Sequence, residues 1–215
     1  MSSEIHEAGG FIHRFLPAKN NTTSVTLLLL HGTGGDENDL IDLGRMLLPD
    51  AALLSPRGPV LENGMPRFFR RLAEGIFDLP DLHRRTDELA QFIKTASDIY
   101  QIDGQRILAV GFSNGANIAA SMLLQQPKVL AGAALLHPMV PFEPEPRPDL
   151  AEKPIFISAG RRDPIVPTSN TQRLIELFKE SRASVTESWS NGGHTITHEE
   201  IRAARAWLSG LSFIN

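Results

Sequence analysis

The sequence predicts a doubly wound α/β fold, a mostly parallel sheet flanked by helices on both faces. Three observations carry that prediction. Short apolar runs at residues 25–31, 51–55, 107–112, 130–136 and 155–159 show no polar/apolar alternation, the mark of strands covered on both faces. Stripes of apolar residues at helical spacing separate them. The resulting order, strand then helix, repeats about five times, as in parallel strands joined by crossover helices. At 215 residues, 41% hydrophobic and 21% charged, the chain can bury a full core, and residues 1–215 read as a single domain.

Each element has its own signal. The run 51–55 is followed by residues 57–78, a connection long for a βα loop and therefore a functional candidate. Asp81, just after Pro80, reads as the cap of a helix in which Leu82, Leu89, Ile93, Ala96 and Tyr100 share one stripe. Residues 114–126 are apolar nearly all round and stop at Pro127, so that helix should lie against the middle of the sheet. Residues 138–154 are rich in proline and read as a stiff surface loop. Leu174, Ile175, Leu177 and Phe178 mark another helix, and residues 185–189 another strand. Thr197 and Glu200 form a capping box for the last helix, which runs through Trp207 and Leu208.

Composition narrows the function classes. Lys and Arg number 21 against 25 Asp and Glu, a net charge of −4 with no basic or acidic block. Neither nucleic acid nor an anionic membrane is expected as a partner. Cysteine is absent, which removes disulfides, thiolate metal sites and a cysteine nucleophile, and suits a reducing compartment. Residues 1–10 lack the basic-then-apolar layout of a signal peptide, and residues 27–30 are too short an apolar run to cross a bilayer. The expected location is the cytoplasm.

In a parallel sheet, ligands bind beyond the carboxyl ends of the strands, so chemistry should follow the apolar runs. After 107–111 comes Gly111-Phe112-Ser113-Asn114-Gly115, a Gly-x-Ser-x-Gly pattern between a charge-free strand and a charge-free helix. A serine on so sharp a turn is exposed for nucleophilic attack, and its flanking glycines let strand and helix approach. After 25–30 comes His31-Gly32-Thr33-Gly34-Gly35-Asp36, whose glycines free the backbone to turn N–H groups inward. The backbone amides of Thr33 and Asn114 are the expected oxyanion donors. A phosphate cradle would need a Gly-x-x-x-x-Gly-Lys-Ser/Thr motif, which does not follow.

A serine needs a base, and the base needs an orienting acid. Asp163 lies just past the run 155–160, whereas its rivals Glu143, Glu145 and Asp149 sit in the proline-rich loop. His194 follows Asn191-Gly192-Gly193 in a loop, whereas His198 falls in the first turn of a helix and His31 reads as structural. His137 could approach the pocket but precedes Asp163, against the order Ser, Asp, His. The catalytic set is thus Ser113, Asp163 and His194. His194 and His198 are spaced for zinc, but no interior Glu accompanies them and Gly193 argues against a helix there, so no metal and no cofactor is expected.

These motifs resemble the α/β-hydrolase superfamily, and within it the phospholipase/carboxylesterase branch that includes acyl-protein thioesterases. Leu30 to Asp36, Gly111 to Gly115, Asp163-Pro164-Ile165-Val166-Pro167 and Gly193-His194 match that branch in order and spacing, over most of the chain. The stretch from Arg57 to Arg71 resembles small bacterial hydrolases associated with quinone and hydroquinone stress. The resemblance implies the same triad and amide pair, activity on small carboxylic esters, and a branch whose members often pair into homodimers. Dienelactone hydrolases use a cysteine nucleophile, which this chain lacks.

The connection 57–78 should lie over the pocket, with Phe68 or Phe69 lining the acyl or alcohol site and one of Arg67, Arg70 and Arg71 pairing with a substrate carboxylate. The alternative is that these arginines pair with Glu62, Glu74 or Asp78 and fix the loop. No large insertion separates Leu136 from Ile155, so no cap domain is expected, and an open pocket favours short or medium acyl groups. The expected activity is therefore ester hydrolysis. The competing readings are an acyl-thioesterase or lysophospholipase, a receptor without turnover, and a lyase or perhydrolase with the same triad.

Overall fold

The computed structural model describes residues 4–19 and 25–214; residues 1–3, which begin the N-terminal stretch discussed above, residues 20–24 and residue 215 lie outside it. The chain opens with an antiparallel hairpin, β1 (Ile5–Ala8) and β2 (Phe11–Leu16). Gly9 and Gly10 turn it at φ of 56° and 80°, a region that glycine enters without steric cost. Then come β3 (Thr26–Leu30), α1 (Ile41–Leu47) and β4 (Ala52–Pro56). The connection after β4 folds into two small hairpins, β5 (Val60–Glu62) with β6 (Met65–Arg67) and β7 (Arg71–Ala73) with β8 (Ile76–Phe77).

The second half alternates regularly: α2 (Leu79–Tyr100), β9 (Ile107–Phe112), α3 (Asn114–Gln125), β10 (Gly132–Leu136), β11 (Pro154–Gly160), α4 (Thr168–Glu180), β12 (Ser184–Ser190) and α5 (His198–Ser209). The main sheet has eight strands in the order β1-β2-β4-β3-β9-β10-β11-β12. From β4 to β12 all pairs are parallel, and β2 joins β4 antiparallel. This is the α/β-hydrolase arrangement, and residues 137–153 between β10 and β11 carry no helix or strand that would form a cap.

The β-pleat sorts side chains between two cores. Leu28, Leu30, Ile107 and Ala109 face α2, α3 and α4, while Leu27, Leu29, Leu108 and Val110 face α1 and α5. Helix α3 is buried over its whole length from Asn114 to Leu124, which is why its sequence shows no polar face. Truncating a core side chain such as Leu123 should cost roughly 2–5 kcal/mol.

One cap differs from expectation. Helix α2 starts at Leu79, capped by Asp78, whose side chain accepts the Asp81 N–H at 3.1 Å. Proline's fixed φ suits the first helical turn, so the helix begins ahead of Pro80 rather than after it. Asp81, one turn inside, is buried and accepts the Arg70 N–H at 2.8 Å, tying the hairpin connection to α2.

Candidate active site

Ser113 sits between β9 and α3 at φ 51° and ψ −113°, a backbone strain of roughly 1–3 kcal/mol for a residue with a Cβ. Packing imposes that strain. A Cβ on Gly115 would lie 1.9 Å from the Leu30 carbonyl oxygen, and one on Gly111 would lie 2.6 Å from that of Gly115. The two glycines let β3, β9 and α3 close on one another, and the serine between them is pushed out beyond the strand ends. Its N–H donates to the Leu136 carbonyl at 2.9 Å, which fixes the turn to β10.

Asp163 and His194 arrive on the loops that follow β11 and β12. Those loops are knitted together: Arg161 N–H donates to Ser190 O at 2.8 Å and Arg162 N–H to Gly192 O at 3.0 Å. Asp163 Oδ1 accepts the N–H groups of Ile165 (2.8 Å) and Val166 (3.0 Å), while its Oδ2 lies 2.7 Å from His194 Nδ1. Burial pushes this carboxyl up, but the amides and imidazoles hydrogen-bonded to it outweigh burial and hold it below the usual carboxylate range. An ionised Asp163 can only accept, so His194 Nδ1 carries the proton and Nε2 presents its lone pair. Ser113 Oγ, 2.8 Å from that Nε2, donates to it.

On the other side of Ser113 the contacts mix main chain and side chain. Residues 66–68 reach both expected oxyanion residues: Gly34 N–H donates to Pro66 O (2.9 Å), Arg67 Nη1 to Thr33 Oγ1 (2.7 Å), and Phe68 N–H to Asn114 Oδ1 (2.7 Å). His31 braces the same loop by accepting the Gly58 N–H at 2.9 Å, the structural role its sequence context suggested. Buried Glu37 receives Arg57 through two oxygens, at 2.5 and 2.7 Å. The backbone N–H groups of Thr33 and Asn114 have no acceptor among the described residues.

A cavity of about 360 Å³ opens on Ser113, His194, Thr33 and Asn114, with Arg67, Arg71, Phe77, Asn117, Met139 and Ile165 around it. Phe68 and Phe69 do not line it. Both are buried in the core, Phe68 against His31 and Phe69 edge-on to Phe77, in the link between β6 and β7. Arg67 does face the cavity, but it and Arg71 both pair with Glu62, at 3.2 and 2.9 Å, and Arg70 pairs with Asp78 at 2.9 Å. The arginines therefore fix the loop in this structure, rather than standing unpaired for a substrate anion.

His137, at the end of β10, reaches the site from behind. Its Nδ1 lies 3.0 Å from the same Asp163 Oδ2 that meets His194, and its Nε2 lies 3.0 Å from Glu200 Oε1. The three nitrogen and oxygen ligand atoms of His137, Asp163 and His194 lie within 4.8 Å of one another. They already satisfy each other as hydrogen bonds around one carboxylate oxygen. The capping box of Thr197 and Glu200 is present as the sequence indicated, and it uses only the other Glu200 oxygen. A second hollow, about 670 Å³, lies at the opposite end of the strands near Arg106 and Lys153, away from the serine.

Residues 13–212 match the phospholipase/carboxylesterase family. The chain is 51% identical over 189 residues to MhqD of Bacillus subtilis strain 168, which carries the name of a hydrolase; the match covers 88% of this chain and 94% of that protein. It is 28% identical to acyl-protein thioesterase 1 of Mycosarcoma maydis, over 89% of this chain and 93% of that one. A carboxylesterase from Bacillus cereus superposes with a TM-score of 0.88 at 48% identity, covering 91% of this chain and 92% of that structure. With nearly its whole length matched, this chain belongs to the phospholipase/carboxylesterase family of α/β-hydrolases.

Proposed function

We propose that the protein is a carboxylesterase acting on small esters through Ser113, His194 and Asp163. The observation that carries this reading is the unbroken run of hydrogen bonds from Ser113 Oγ to His194 (2.8 Å) and from His194 to Asp163 (2.7 Å) at the floor of an open cavity. In the proposed reaction Ser113 Oγ attacks the ester carbonyl while its proton passes to His194 Nε2. The imidazolium so formed is held by Asp163, and the tetrahedral oxyanion lies against the amides of Thr33 and Asn114. Collapse breaks the ester C–O bond, His194 returns the proton to the leaving alcohol, and an acyl-serine remains. Water, deprotonated by His194, then releases the carboxylic acid and restores Ser113.

The cavity volume of about 360 Å³ lies at the small end of ligand sites, which supports short or medium acyl groups over long lipid chains. The likeness to an acyl-protein thioesterase keeps a thioester substrate as the second reading. A chain-length series of chromogenic esters and matching thioesters, run on wild type and Ser113→Ala, tests both. The proposal expects rates that peak at short acyl chains and vanish in the variant. Equal slow rates for both proteins would contradict it.

A further inference from the structure

His137 has no part in the reaction just described, yet two buried carboxylates face its ring. It follows β10 at φ 54°, its N–H bonded to Ser158 O at 2.8 Å, and it is 1% exposed. The charged or titratable groups facing its ring come from three elements: Asp163 after β11, His194 after β12 and Glu200 on α5. The wall from β9 is Phe112, edge-on at 5.8 Å between ring centroids. Asp163 and Glu200 are themselves buried, with side chains 1% exposed.

Two buried carboxylates on opposite nitrogens dictate the protonation of the ring between them. A neutral imidazole has one N–H and one lone pair, so one of its nitrogens would face a carboxylate oxygen at 3.0 Å with like partial charge. An imidazolium donates from Nδ1 to Asp163 and sets its charge against Glu200, leaving the cluster with one net negative charge in place of two. We propose that His137 is a positioning residue: a buried imidazolium, held between Asp163 and Glu200, that orients Asp163 toward His194 and sets the acid limit of the reaction. Burial opposes the charge on His137, but Glu200 and Asp163 outweigh burial and hold its proton above the usual histidine range. Burial likewise opposes ionised Glu200, and His137 with the Thr197 amide overcomes it.

The consequence for catalysis has a definite sign. The inference rests on the proposed base, His194, whose ring centroid is 5.2 Å from that of His137. A fixed positive charge at that range repels further positive charge in the site, so the acid limb of kcat/KM depends on the charge that His137 carries. Removing the charge should move the acid limb of kcat/KM upward by about one pH unit.

The test uses the full chain and three proteins. His137→Gln should shift the acid limb upward. His137→Gln combined with Glu200→Gln, which keeps a capping-box residue and restores one net negative charge, should return the limb to its wild-type position. A limb unmoved in the single variant, or equally displaced in the double, would overturn the proposal. Should either variant fail to fold, NMR of the wild-type imidazole nitrogens at pH 7 decides: a doubly protonated His137 supports it and a neutral ring overturns it. That spectrum does not depend on turnover, so a failure of the esterase reading is seen separately, as loss of fluorophosphonate labelling at Ser113.

Discussion

The two flanks of Ser113 are built by different means. On the acid–base flank, ionisable side chains from four places beyond the strand ends, His137, Asp163, His194 and Glu200, hold one another through buried charge. On the proposed oxyanion flank the reacting groups are main-chain amides. Backbone amides of Thr33 and Asn114 are held in place by the segment 66–68, which contacts both residues. The difference teaches where each flank is vulnerable: the first should respond to pH and to the charge of its members, the second to the geometry of a loop.

Changes that separate the flanks have graded effects. Ser113→Ala removes the atom both flanks serve, and turnover should fall on the order of a millionfold, measured with a chromogenic ester. Asp163→Asn strikes the acid–base flank alone. It exchanges an acceptor for a group that can no longer fix the His194 tautomer, and kcat should fall about ten-thousandfold. Arg67→Leu strikes the proposed oxyanion flank by releasing Thr33 Oγ1, together with the loop contacts of Arg67 to Glu62 and to the Phe69 carbonyl. A loss of roughly ten- to a hundredfold in kcat is expected, with the acid limb of the pH profile unmoved. A shifted limb in Arg67→Leu would show that the flanks are not separable.

The smallest effect is on stability. Asp163 and Glu200 bind protons less readily folded than unfolded, so their contribution is complete above the usual carboxylate range and is lost as pH falls through their lowered folded values. His137 has the opposite sign. Its contribution is complete below about 6.5, the unfolded value, and is lost as pH rises through its raised folded value. Thermal melts of wild type should therefore drop on both sides of a mid-acidic maximum. In His137→Gln the alkaline decline should shrink by a few degrees.

Ser113, Asp163 and His194 were legible in the sequence because each directly follows an apolar strand run, and parallel strands deliver such residues to one edge. Glu200 was legible only as a helix cap. A carboxylate has two oxygens, and nothing in the chain order says that the second would meet His137, sixty-three positions earlier. The placement of Phe68 and Phe69 failed for a different reason. They fall in the link between β6 and β7, where no strand or helix period tells which side chains turn inward. The N-terminal hairpin carries its signal in two glycines between alternating segments.

The most direct trial of the account is covalent labelling with a fluorophosphonate, followed by peptide mapping. A single adduct on Ser113, forming faster as pH rises through the acid limb and absent from Ser113→Ala, is the result that the triad geometry predicts. An unlabelled protein, or an adduct on any other serine, would contradict it.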